Sequence, residues 1–212
     1  DKAVKFLSTT TGRDRVNRFV QYVTRFLIWF LAARGASHEL LASLKNLMAT
    51  IGLTRKVLFT GRQLEFYLAA VKLLATKDVF VKWTAIAKNF FMIVWVTLDT
   101  CQWLNATSLY SFPSIASINV RANQSWLAYI LFSILGNLHK LRLNARQTRL
   151  NGGVPLRTLQ EERKRLLRAT VQDCLDVVLP VAMLEYVQLE SGYLGIIGAV
   201  TSLMGACEYF FI

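Results

Sequence analysis

The chain of 212 residues is 54% hydrophobic, yet it carries a formal net charge of +12. Such a charge suits nucleic acid or an anionic membrane surface. A nucleic-acid binder, however, sets its basic residues beside an ordinary core, and the long uncharged tracts seen here exclude that class in favour of lipid. Cys101, Cys174 and Cys207 are odd in number, widely spaced and without a CxxC pair. They support neither a disulfide framework nor a zinc site and read as buried free thiols. Only three prolines occur, which predicts long helices.

Residues 1–12 read as a polar, basic lead-in and not as a signal peptide. Thr11 or Asp14 is positioned to cap the first long helix. In that helix Val16, Phe19, Val20, Val23, Phe26, Leu27, Phe30 and Leu31 trace one apolar stripe, with Arg18 and Arg25 opposite and Arg34-Gly35 at its end. The stripe faces either lipid or a neighbouring helix. A second helix starts near Ser37 or Glu39 and aligns Leu40, Leu44, Leu47, Met48, Ile51 and Leu58, flanked by Lys45 and Lys56. Gly52 interrupts it, and Arg55 falls on the apolar stripe, which predicts a kink or a snorkelling side chain. Residues 62–76 form a third helical stretch with Leu64, Leu68, Val71 and Ala75 on one side.

From Trp83 the character changes. Residues 83–104 hold only Lys88 and Asp99 as charges and have the length of a membrane span. Asp99 is expected to face other helices or the far interface, because a carboxylate at the bilayer centre costs about 3 kcal/mol. Residues 105–120 are uncharged and contain Pro113, as in a loop or short re-entrant piece. Residues 122–138 form a second uncharged stretch, at the short limit for a span. Residues 139–168 are strongly basic, with a turn at Asn151-Gly152-Gly153, and helical spacing then runs to Pro180. In the terminal stretch Gly195, Gly198, Ala199, Ser202, Gly205 and Ala206 leave thin strips on a helix. Such strips allow close approach, either to a second copy in lipid or within the chain.

These elements predict an all-α integral membrane protein with amphipathic N-terminal helices and two to three hydrophobic membrane segments. Its regions are 1–82, 83–138, 139–190 and 191–212. Fifteen basic residues lie in 1–88, one lies between the two apolar stretches and nine follow. The positive-inside bias therefore puts residues 1–82 and 140–190 on the cytosolic side.

Three segments then point to a family. GRDRVNRFVQYVTRFLIWFL (12–31), TRKVLFTGRQLEF (54–66) and the terminal GYLGIIGAVTSLMG resemble, in order and separation, the peroxin eleven family of peroxisomal membrane proteins. Where the family carries a further basic residue, this chain has Phe59. The resemblance implies elongation of the peroxisomal membrane before fission, through an amphipathic helix and self-association, with fission machinery as partner. Carried over, that helix is residues 39–60. Lys45, Arg55, Lys56 and Arg62 match its basic part, and Leu44, Leu47, Met48, Ile51 and Leu58 its inserting part. The preferred lipids are anionic, and the small-residue strip of residues 195–206 matches the self-associating segment.

A channel for small solutes, built by oligomers, is the alternative, with Asp99 and Lys88 among its lining. Catalysis is not expected. His38 and His139 are far apart, no phosphate loop or triad order is visible, and Glu161 and Glu162 point apart on a helix. No cofactor or metal site is expected.

Overall fold

The computed structural model describes residues 2–150, 153 and 155–210, except the side chains of 208–210. Among these residues the fold is all helical: α1 (Lys2–Ser8), α2 (Thr10–Ala32), α3 (His38–Phe59), α4 (Gln63–Leu73), α5 (Val79–Ala106), α6 (Ile115–Arg149), α7 (Leu156–Asp176), α8 (Val178–Met183) and α9 (Ser191–Phe210). The expected lead-in is itself helical. Thr9 caps α2, its hydroxyl accepting from the Gly12 amide at 2.9 Å. Neither Thr11 nor Asp14 has that role, because the helix begins before them. Gly35, at φ +73°, turns the chain between α2 and α3, and Ser37 caps α3 as expected. Gly52 does not break α3, which stays helical because Arg55 finds partners inside the protein. The uncharged loop is shorter than the sequence suggests, since only residues 107–114 lie between α5 and α6. α6 runs on from the apolar stretch through the basic one for 35 residues, about 52 Å. The turn expected at Asn151-Gly152 lies outside the described residues. Pro180 does not end α7, which stops at Asp176; the proline sits in the first turn of α8, where its missing amide is tolerated.

Six of the helices neighbour one another in a closed circuit: α2 beside α3, α3 beside α5, α5 beside α6, α6 beside α7, α7 beside α9, and α9 back beside α2. Helices facing each other across this ring do not meet at backbone level. The tightest seam is α2 against α9. A Cβ on Gly195 would stand 2.7 Å from the Phe26 amide nitrogen, and one on Gly198 or Gly192 would run into the rings of Tyr22 or Trp29. At the α5–α6 seam Gly136 lies against the Thr84 hydroxyl. α4 lies on the outside, along α5. The stretches expected as four regions thus share one ring.

Inside and outside are inverted relative to a water-soluble domain. The buried residues include Asp14, Arg18, Asp176, Asn144, Thr201 and Ser202, as many polar as apolar residues when both classes are compared. Large apolar side chains are exposed on nearly every helix, among them Val16 and Val20 of α2, Leu68 and Val71 of α4, Trp83 and Phe90 of α5, Leu131 and Leu135 of α6, and Ile196 and Val200 of α9. Among the described residues, only α5 is a helix long and apolar enough to cross a membrane, and just 17% of its most apolar window is buried. A core helix of a soluble domain would be mostly buried. Of the expected two to three segments, α5 alone has the length and composition of a span among the described residues. The apolar part of α9 is the shorter Ser191–Cys207, and in α6 the polar Asn123, Gln124 and Asn137 dilute the uncharged residues 122–138. Cys174 and Cys207 are exposed and Cys101 half-buried, so the thiols are free but not buried, because two of them fall on outward faces of α7 and α9.

Candidate functional site

The inner face of α2 carries Asp14, Arg18, Gln21 and Arg25 at three- and four-residue spacing, a polar stripe turned into the ring. Arg18 donates from Nη2 to Asp176 Oδ1 at 2.5 Å and to the Thr201 hydroxyl at 3.2 Å, tying α2 to α7 and α9. Both charged side chains are nearly sealed, at 8% and 10% exposure. A planar, always-charged guanidinium suits such a buried pair better than an ammonium. Burial acts to lower the Arg18 pKa, but Asp176, aided by Tyr22, carries it above the ordinary value. Arg55 of α3 donates from Nε to Asp14 at 2.7 Å and from Nη1 to Gln21 at 2.8 Å. Lys56 pairs with Asp99 of α5 and donates to Gln102 at 2.6 Å. Lower in the ring Lys88 donates to the Ser133 hydroxyl, which donates in turn to Asp173 at 2.7 Å. Burial holds the Asp173 carboxyl above its usual range, opposed by the Ser133 bond.

Apart from Lys88, Ser133 and Thr201, these groups line a chamber of about 730 Å³ that also takes in Arg15, Arg62, Asn119, Asn123 and Gln172. One wall is aromatic, with Phe59 edge-on to Trp95 and Trp95 stacked on Trp126 at 5.8 Å. Among the described residues every fully enclosed side-chain nitrogen or oxygen has a hydrogen-bond partner, as a polar interior requires.

The residues matched to lipid binding divide between two environments. Lys45 and Leu47 are exposed on the outer face of α3, with Leu44, Met48, Ile51 and Leu58 half-buried beside them. Arg55 and Lys56 turn into the chamber, and Arg62 sits at its edge over the Phe59 and Phe66 rings with Glu65 as partner. The small-residue strip is placed against α2 of the same chain. Gly195, Gly198, Ser202 and Gly205 are buried there, while Ala199 and Ala206 are half-buried at its margin. Asp99 faces another helix, as expected, through Lys56.

Elsewhere, His139 meets Asp78 at 3.3 Å under the Phe80 ring. Backbone amide donation from Val81, then His139, holds the Asp78 carboxyl below its usual range. Glu161 pairs with Arg157 on the surface and Glu162 accepts from Asn144. No cluster of metal-ligating side chains occurs among the described residues.

Arg15, Asp173 and Asp176 line the chamber and no periodicity marks them, while Asp14 stands out in the sequence only as a candidate helix cap. The available signal was the choice of arginine over lysine along 13–25, in register with Gln21 and almost without acids.

The sequence profile of the family described as "Peroxisomal biogenesis factor 11 (PEX11)" matches residues 1–210. The chain is similar to peroxisomal biogenesis factor 11 of Schizosaccharomyces pombe, with 26% identity, covering 95% of this chain and 90% of the relative. It is also similar to peroxisomal membrane protein PMP30B of Candida boidinii, at 24% identity over 96% and 91% of the two chains. Peroxisomal membrane protein 11A of Rattus norvegicus shares 21% identity over 97% and 94%. No solved structure matches.

Proposed function

The chain belongs to the peroxisomal biogenesis factor 11 family, and from that premise we propose that it elongates the peroxisomal membrane by wedging helices into one leaflet. It is a peroxisomal membrane protein with a role in peroxisome biogenesis. The observation that carries the mechanism is the set of outward apolar residues on α3 and on α4. Leu40, Leu47 and Val57 of α3, then Leu64, Tyr67, Leu68 and Val71 of α4 with Leu74 just past its end, are all exposed. In α4 they recur at helical spacing, an unpartnered stripe that packing leaves uncovered. A helix lying in the interface sinks about 5–10 Å into one leaflet, and area added to one leaflet favours curvature. Lys45 and Lys72, both exposed, flank these faces, and each basic residue beside an anionic leaflet contributes about 1 kcal/mol. Arg55 and Lys56 serve the interior instead, so the lipid-facing charge rests on the outer lysines.

In this reading α5 and the apolar part of α6 hold the ring in the bilayer. Copies associate through the outer α9 face of Tyr193, Ile196, Val200 and Leu203, with Ala199 and Ala206 at its edge. The inner glycines keep α2 in place. The test is reconstitution of the full chain in vesicles containing anionic lipid. Tubules are expected, and Leu47→Glu together with Leu68→Glu removes them while leaving the helical content intact. Unchanged tubulation by that variant, or none by the wild type, contradicts the reading.

A second reading, passage of small solutes, is favoured by the polar chamber within the ring. Conductance of reconstituted protein that changes with Asp99→Asn supports it, and a silent bilayer counts against it.

A further inference from the structure

The chamber's charges do not cancel. Its lining holds six basic residues, Arg15, Arg18, Arg25, Arg55, Lys56 and Arg62, against four acidic ones, Asp14, Asp99, Asp173 and Asp176. Arg18, Arg55 and Lys56 have an aspartate each, and Arg62 has Glu65 outside the lining. Asp173 is held by Ser133 and Asn137. Arg25 has only the Tyr22 ring, at 5.7 Å. Arg15 has no hydrogen-bond or ion-pair partner among the described residues. It lines the chamber all the same, its guanidinium resting on Gly205 of α9, where a Cβ would come within 2.7 Å of Cζ. Burial, then the neighbouring Arg18, holds its pKa below the ordinary arginine value, with Asp14, Tyr129 and Asp176 acting the other way. Arg15 is half-buried at the chamber lining, and a glycine in the α9 strip makes the space in which its guanidinium rests.

Around Arg15 the chamber supplies what an organic anion needs. Asn123 and Tyr129 line the same space, Trp126 and Trp95 form a flat apolar wall, and Met92 and Ile130 extend it. A volume of about 730 Å³ falls within the range of organic-ligand sites, roughly 300–1,000 Å³, and far exceeds that of a single inorganic ion. We propose that the chamber binds an organic oxyanion, its phosphate or carboxylate head held by Arg15 and its apolar or aromatic body laid against the Trp95–Trp126 wall. A guanidinium pairs with either head in the same bidentate way, so the head can belong to an anionic lipid or to a soluble organic anion. The site does not depend on whether the protein bends membranes.

The test uses the full chain purified in a neutral detergent, titrated with phenyl phosphate in one arm and with dioleoyl phosphatidic acid in mixed micelles in the other. Tryptophan fluorescence reads the binding. Saturable binding in at least one arm is expected, and the arm that saturates identifies the source of the head. Arg15→Gln is expected to weaken it at least tenfold. Arg13→Gln, which removes the same charge from an exposed position two residues away, should leave it within twofold. Asn123→Asp, which adds a carboxylate to the chamber without touching Arg15, should also weaken it and keeps the test valid if Arg15→Gln does not fold. No saturable binding in either arm overturns the proposal. So does equal weakening by Arg13→Gln, or affinity unchanged in both chamber variants.

Discussion

The chamber and the outer wall of this protein follow opposite rules. In the chamber, charged groups from α2, α3, α5 and α7 pair across helices, and Arg18 with Asp176 is nearly sealed from solvent. On the wall, Leu64 of α4 is 71% exposed and Trp83 of α5 is 61% exposed, with no protein partner to cover their faces. A chain folded against water hides its large apolar groups and keeps its charges out. The reverse distribution is what a bilayer favours, because acyl chains solvate leucine well and arginine badly. The same +12 chain therefore places its basic residues in two ways, some as an internal skeleton and others, such as Lys45 and Lys72, exposed on the outer wall.

Breaking the skeleton has the largest expected effect. Arg18→Ala leaves Asp176 buried without its partner, which costs about 3–5 kcal/mol. Thermal unfolding in detergent should show a large loss of stability, and the double variant Arg18→Met with Asp176→Leu should recover most of it. If Arg18→Ala unfolds like the wild type, the interior is wetter than the structure implies. Gly198→Val comes next. Its side chain meets the Tyr22 ring at the α2–α9 seam, and overpacking of this kind costs about 1–3 kcal/mol. A stable variant that only lost self-association would show that the strip faces a second copy and not α2.

The wall should respond in the opposite sense. Ile196→Thr on the outside of α9, with no buried partner, is expected to stay within about 0.5 kcal/mol in detergent while reducing association between copies in crosslinking. The smallest effect is titration. Burial raises the folded-state pKa of Asp173 above its unfolded value, so the folded chain binds this proton more tightly. Stability contributed by the group therefore grows as pH falls through that folded value. Asp78 works the other way: its pKa is lowered by Val81 and His139, so its contribution is present above the unfolded value and is lost as pH falls through the folded one. Unfolding followed against pH in Asp173→Asn and in Asp78→Asn should separate the two, each variant removing one of the opposed slopes.

The helices were legible because their apolar residues recur at helical spacing, and Ser37 and the α5 stretch were visible as a cap and as a long apolar helix. What patterning leaves open is the surroundings of the arginines. Arg18 and Arg25 lie opposite an apolar stripe, which reads as a solvated face, yet Asp176 and Tyr22, distant or ambiguous in the sequence, draw them inward. Arg55 falls on the apolar stripe of α3 and Lys56 flanks it; the family resemblance matches both to headgroup contact, and here Asp14 and Asp99 pair with them. A periodicity finds a polar face; it does not say whether water or another helix lies against it. The small residues of α9 carry the same ambiguity; within one chain Gly192, Gly195 and Gly198 meet Trp29, Phe26 and Tyr22 of α2.

The most direct test compares two tryptophans in single-tryptophan variants of the full chain, the others replaced by phenylalanine, reconstituted in vesicles. Trp83, on the outside of α5, should be quenched by lipids brominated in their acyl chains, whereas Trp126, in the chamber wall, should escape them and respond to a small aqueous quencher. Trp83 quenched from the aqueous phase and indifferent to brominated lipid would contradict a lipid-solvated outer wall.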